Sequence, residues 1–147
     1  MKTTIKILAV SALVSIASCG SAKNNTTNTQ TETNKEVTIQ KEKVAKNVNA
    51  TEFQKLIAND GVILDVRTPG EYSAGHIENS KNINFYDKNF MGDVAKLNKN
   101  EAIYIYCRSG GRSGRAMNKL KAAGFTKIYN LSGGFNGWSR SGLPSVK

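Results

Sequence analysis

Along residues 44–147 the apolar positions fall into short continuous runs that alternate with helically spaced segments. Val62-Ile63-Leu64-Asp65-Val66 and Ala102-Ile103-Tyr104-Ile105-Tyr106 are nearly unbroken apolar runs, the pattern of parallel strands covered on both faces. Val44–Val48 reads as a short edge strand, Ile83 and Phe85 mark another strand, and Lys127–Leu131 one more. Between them, Asn49-Ala50-Thr51-Glu52 has the form of a capping box. It opens a helix that carries Phe53, Leu56 and Ile57 on one face. Pro69-Gly70-Glu71-Tyr72 starts a short helix or turn, and residues 93–97 belong to a helix. Residues 112–123 form a longer helix with Ala116, Met117, Leu120 and Ala123 facing inward and Gly124 as its terminator. Phe135 and Trp138 close the domain. Strands alternating with helices predict an α/β fold: a central parallel sheet of about five strands with helices on both faces.

The first 43 residues follow a different pattern. A basic start, Lys2 and Lys6, precedes an apolar stretch at residues 7–16. That stretch falls well short of the roughly 20 residues a membrane span requires, but it suits a signal peptide. It ends in Ile16-Ala17-Ser18-Cys19, which resembles the bacterial lipobox. The resemblance implies a signal peptide at residues 1–18, cleavage before Cys19, and a lipid on the Cys19 sulfur. Residues 20–34 are mostly Asn, Thr and Ser without a large apolar side chain. They cannot bury enough surface to offset chain entropy, so residues 19–43 read as a tether to the membrane. The expected location is the cell envelope, facing away from the cytoplasm (the periplasm or outer membrane in a Gram-negative host). The folded domain is expected at residues 44–147.

Composition narrows the chemistry. The net charge of +10 favours anionic partners. The lysines are scattered, however, and only Arg108, Arg112 and Arg115 cluster. Nucleic acid is therefore not expected as a partner. Two cysteines and one histidine are too few for an ordinary zinc site, so no metal is expected. With Cys19 acylated, Cys107 is the only thiol.

Cys107 directly follows the apolar run 102–106, at the carboxyl end of a strand, where ligands bind in parallel sheets. The segment Cys107-Arg108-Ser109-Gly110-Gly111-Arg112-Ser113 then leads into a helix. Its glycines let successive N–H groups converge on one point, and the helix terminus adds free N–H groups and a positive dipole end. A thiol in such a cup has a lowered pKa. Arg108 and Arg112 supply forked donors for an anionic substrate.

This loop closely resembles the active-site loop of single-domain rhodaneses. Leu64 through Tyr72 (Leu-Asp-Val-Arg-Thr-Pro-Gly-Glu-Tyr) and Gly75-His76-Ile77 resemble that family's first signature, and Leu131-Ser132-Gly133-Gly134-Phe135-Asn136-Gly137-Trp138 its last. The match runs over residues 44–144, with Gly111 in place of a frequent bulkier residue and Phe135 in place of the usual Trp. The resemblance implies the rhodanese-like three-layer fold and transfer of a sulfane sulfur from thiosulfate or a persulfide to a thiol or to cyanide. Cys107 would be the nucleophile that carries the sulfur as a persulfide. The N–H groups of residues 108–112 and the Ser109 and Ser113 hydroxyls would hold it. The partners are then a small anionic sulfur donor and a thiol acceptor, and no cofactor is required.

Four neighbours, Asp65, Arg67, Glu71 and His76, read as structural. Arg67 and Glu71, four apart, are expected to form an ion pair, and His76 to hydrogen-bond a turn. Two alternatives stand beside the enzyme. One is a persulfide carrier or redox-sensing module that docks to a partner. The other is a cysteine phosphatase, disfavoured because four residues rather than five separate Cys107 from Arg112.

Overall fold

The computed structural model describes residues 43–147. The expected signal segment, Cys19 and all but the last residue of the expected tether lie outside the described residues. The elements are β1 Val44–Val48, α1 Ala50–Leu56, β2 Val62–Asp65, α2 Pro69–Ser73, β3 Lys81–Asn82, α3 Phe90–Val94, β4 Ala102–Tyr106, α4 Gly111–Ala122, β5 Lys127–Leu131 and α5 Gly134–Arg140. The strands form one sheet in the order β1-β5-β4-β2-β3, and every pairing is parallel.

β4 lies at the centre, and its residues alternate between two cores, as a strand period of two requires. Ile103 and Ile105 pack with Leu64, Val66 and Ile128 and with Phe90, Val94, Ala116 and Leu120 of α3 and α4. Tyr104 and Tyr106 pack on the other face with Phe53 of α1 and Trp138 of α5. Each such valine, leucine, isoleucine or phenylalanine contributes roughly 1.5–3 kcal/mol when fully buried. The sheet is therefore covered on both faces, and the carboxyl end of β4 is held in register from both.

Helix boundaries follow local chemistry. Asn49 caps α1, its Oδ1 accepting the Glu52 N–H at 2.8 Å. The Glu52 carboxylate receives Lys46 Nζ at 2.8 Å. A reciprocal capping box forms at α2. There Thr68 Oγ1 accepts the Glu71 N–H, Glu71 Oε2 accepts the Thr68 N–H, and Pro69 stands in the first turn. α4 ends where Gly124 takes φ +91°, which lets the Phe125 N–H return to Leu120 O at 3.1 Å.

Three elements differ from expectation. β3 is Lys81–Asn82 rather than a strand on Ile83 and Phe85. Those two residues continue along β2 only through single bonds, Ile83 N–H to Asp65 O and Phe85 N–H to Val66 O. α3 runs from Phe90 to Val94 rather than over 93–97, and buries Phe90 and Val94, four residues apart on one face. α5, opened by Gly133-Gly134, was not marked as a helix by the sequence.

The expected Arg67–Glu71 pair does not form. Arg67 lies at a bend between β2 and the α2 cap, outside any helix, so the helical four-residue spacing does not apply. Its partner is Asp65. The Asp65 oxygens accept Arg67 Nε at 2.8 and 3.0 Å and one terminal nitrogen at 2.7 Å, and that nitrogen also donates to Gly75 O at 2.7 Å. Both residues are buried. The guanidinium lies 4.3 Å from the Phe135 ring centre, so it ties β2 and the turn at Gly75 to α5. Removing one partner of such a pair strands the other charge. Arg67→Met is therefore expected to lower unfolding stability by about 3–5 kcal/mol in a urea titration, with the Asp65→Asn/Arg67→Met double variant losing less than the sum of its singles.

Candidate active site

Beyond the last residue of β4 the chain makes one sharp turn and enters α4. Gly110, the α4 N-cap, sits at φ +98°, a left-handed value that a side chain opposes. The turn folds the loop back over Cys107, which is buried. Cys107 Sγ accepts the Gly110 N–H at 3.1 Å and the Ser113 hydroxyl at 3.4 Å. The same hydroxyl lies 3.1 Å from Gly110 O. Its single proton can therefore serve the sulfur when the sulfur is charged. Burial raises the Cys107 pKa. The Ser113 hydroxyl and the N–H groups of Ser113, Ser109 and Gly110 lower it by more, so the thiol lies below its ordinary value.

α5 orients these N–H groups from behind. The Phe135 N–H donates to Cys107 O at 2.7 Å and the Asn136 N–H to Arg108 O at 3.0 Å. In a planar trans peptide the carbonyl and the following N–H point in opposite directions. Pulling the Arg108 carbonyl toward α5 thus turns the Ser109 N–H toward the sulfur. The approach is close: a Cβ on Gly134, at φ +57°, would collide with Cys107 O and with the Arg108 and Ser109 backbone. Gly133 is also left-handed, at φ +76°. In the sequence the glycine pair stands out only as part of a family signature. Its role in seating the loop is a backbone matter that composition does not reveal.

The remaining loop residues lie at the surface or near it. Arg108, Ser109 and Gly111 are exposed, Gly110 and Arg112 half-buried, and Ser113 buried. A Cβ on Gly111 would meet nothing within 4 Å, so the glycine is no steric requirement there. Arg112 was expected to offer its fork to an anionic substrate. In the structure its two terminal nitrogens each donate to one oxygen of Glu71, both at 2.6 Å. That hydrogen bonding, with help from Thr68 against the opposing effect of burial, lowers the Glu71 carboxyl to about 2. The pair therefore stays charged far below neutral pH. The exposed ring of Tyr86 lies beside the same guanidinium, 5.6 Å from its carbon. Glu71, assigned by spacing to Arg67, is thus the site residue that sequence reasoning misplaced.

His76 stacks on Tyr72 at 3.8 Å between ring centres, its Nδ1 lying 3.1 Å from Tyr72 O at the end of α2. A cavity of about 380 Å³ lined by Pro69, Lys81, Asn84, Asp87 and Lys96 among others contains no residue of the Cys107 loop. The site is marked by donor geometry and not by cavity size.

A family model described as Rhodanese-like domain matches residues 49–141. Among curated proteins, the chain is 32% identical over 113 residues to the chloroplastic thiosulfate sulfurtransferase 16 of Arabidopsis thaliana, covering 70% of this chain and 94% of that protein. It is 35% identical over 94 residues to a sulfurtransferase of Allochromatium vinosum, covering 63% and 86%. Among solved structures, a rhodanese-related protein from Thermoplasma volcanium superposes with a TM-score of 0.63 at 28% identity, covering 69% of this chain and 98% of that one.

Two outcomes follow from the geometry of the cup. Alkylation of Cys107 followed against pH should show a midpoint below the ordinary thiol value of about 8.5, and Ser113→Ala should move that midpoint upward, since a donor to the anion is lost. Gly134→Ala should displace the Cys107 carbonyl, raising the midpoint and lowering the melting temperature together.

Proposed function

The chain belongs to the rhodanese-like domain family, and from that premise we propose that it is a sulfurtransferase working through a persulfide on Cys107. The observation that carries this reading is the Cys107 sulfur, held by the Gly110 N–H and the Ser113 hydroxyl at the N-terminus of a 12-residue helix. The Cys107 thiolate attacks the terminal sulfur of thiosulfate or of a persulfide. The donor's sulfur–sulfur bond breaks, and sulfite or a thiolate leaves with the electron pair. The new terminal sulfur carries negative charge and lies where the N–H groups of residues 108–112 and the hydroxyls of Ser109 and Ser113 can receive it. An acceptor thiolate or cyanide then takes that sulfur and restores the Cys107 thiolate. This is covalent catalysis with preorganised stabilisation of an anion. Burial of Cys107 favours a donor that presents a single slender atom.

The leading segment supports a second part of the proposal. With residues 1–18 removed and Cys19 acylated, the domain would hang from a membrane of the cell envelope on residues 19–43. Acyl chains contribute about 0.8 kcal/mol per buried CH₂, so more than one chain anchors firmly.

Incubation with thiosulfate should add one sulfur atom to the Cys107 peptide by mass spectrometry, and cyanide should remove it as thiocyanate. Cys107→Ser should abolish both steps, and turnover that survives it would refute the mechanism. The mature protein should partition into detergent, and Cys19→Ser should prevent this. A free Cys19 thiol in the mature protein would refute the anchor.

A further inference from the structure

The cations around the Cys107 loop are not equivalent. Arg108 and Arg115 are exposed, whereas Arg112 is engaged end-on by Glu71, each terminal nitrogen at 2.6 Å from a carboxylate oxygen. The Glu71 hydrogen bonds hold the Arg112 charge in place against partial burial, and the Cys107 sulfur adds to the same field. Arg112 therefore belongs to the electrostatic surroundings of the nucleophile, yet its charge there is cancelled by a carboxylate. Glu71 is in turn fixed by Thr68, whose N–H and hydroxyl both reach Glu71 Oε2. The carboxylate is thus anchored from the α2 side and cannot swing away from Arg112 without breaking the helix cap.

We propose that Glu71 is a specificity-determining positioning residue: by neutralising Arg112 at the mouth of the Cys107 loop, it makes the site select sulfur donors of low charge over dianionic thiosulfate. The inference rests on the sulfurtransferase reading and specifies its donor class. The physics is a matter of counting charges. A carboxylate near the donor site repels a dianion about twice as strongly as a monoanion. Its removal therefore changes the preference between them by the effect of one unit charge, about tenfold in rate at low salt. Any effect of Glu71 on the reactivity of Cys107 itself acts on both donors alike and leaves their ratio unchanged.

The test uses two donors that differ in charge and share one reaction. Thiosulfate delivers its outer sulfur to the Cys107 thiolate and releases sulfite. Methanethiosulfonate, a monoanion, delivers its terminal sulfur in the same way and releases methanesulfinate. In each case one sulfur–sulfur bond breaks, one forms, and total charge is conserved. The ratio of kcat/KM for the two donors, measured with cyanide as acceptor on one sample, is independent of the fraction of protein that is folded. The native protein is expected to favour methanethiosulfonate. Glu71→Gln should shift the ratio toward thiosulfate by about tenfold, mainly through KM, with the shift shrinking as salt is raised. Glu71→Asp retains the charge at shorter reach, and should shift the ratio by less than Glu71→Gln. A ratio unchanged in Glu71→Gln, with both donors slowed equally, would overturn the proposal and leave Glu71 a merely structural partner of Arg112. Native protein that takes sulfur from neither donor would overturn the sulfurtransferase reading and this one together.

Discussion

For the buried Cys107 sulfur at the end of a central strand to carry negative charge, donors must surround it, since an uncompensated buried charge costs more than a domain of this size can bear. Much of the local architecture answers that requirement. Gly110 turns left-handed so that its N–H faces Sγ. α4 starts at once, presenting Ser113 and the positive end of its dipole. α5 comes close enough to grasp the Cys107 and Arg108 carbonyls, an approach possible only because Gly134 lacks a side chain. The donors are mainly main-chain groups, held in place by the fold before any charge develops on the sulfur.

Around this cup stand two ion pairs with different surroundings. Asp65–Arg67 is buried beneath aromatic rings and joins β2, the Gly75 turn and α5. Glu71–Arg112 is partly open to solvent and joins α2 to the first turn of α4. The first keeps in place the helix that orients the loop. The second sets a carboxylate against the guanidinium of the loop's last arginine. The Leu64-Asp65-Val66-Arg67-Thr68-Pro69-Gly70-Glu71 segment supplies one half of the outer pair and the whole of the inner one, so a short stretch far from Cys107 in sequence helps determine both the shape and the field of its surroundings.

How much of this was legible in the sequence depended on the kind of interaction. Buried parallel strands leave continuous apolar runs, so β2 and β4 were plain, and so was α4 with Gly124 at its end. The position of Cys107 after β4 followed from them. β3 was displaced because two residues of ladder leave no alternation to read. The Arg67–Glu71 pairing failed because a four-residue spacing brings side chains together only inside a helix, and Arg67 precedes the Thr68 cap. The support from α5 was invisible because Phe135 and Asn136 act there through their N–H groups, which every residue but proline possesses.

If Cys107 takes the outer sulfur of the donor by breaking the donor's sulfur–sulfur bond, thiosulfate labelled separately at its two sulfurs must divide its labels between protein and product. Outer-sulfur label is expected on Cys107, one atom per chain, while inner-sulfur label leaves entirely as sulfite. Retention of inner-sulfur label on the protein, or label on any residue other than Cys107, would contradict this transfer.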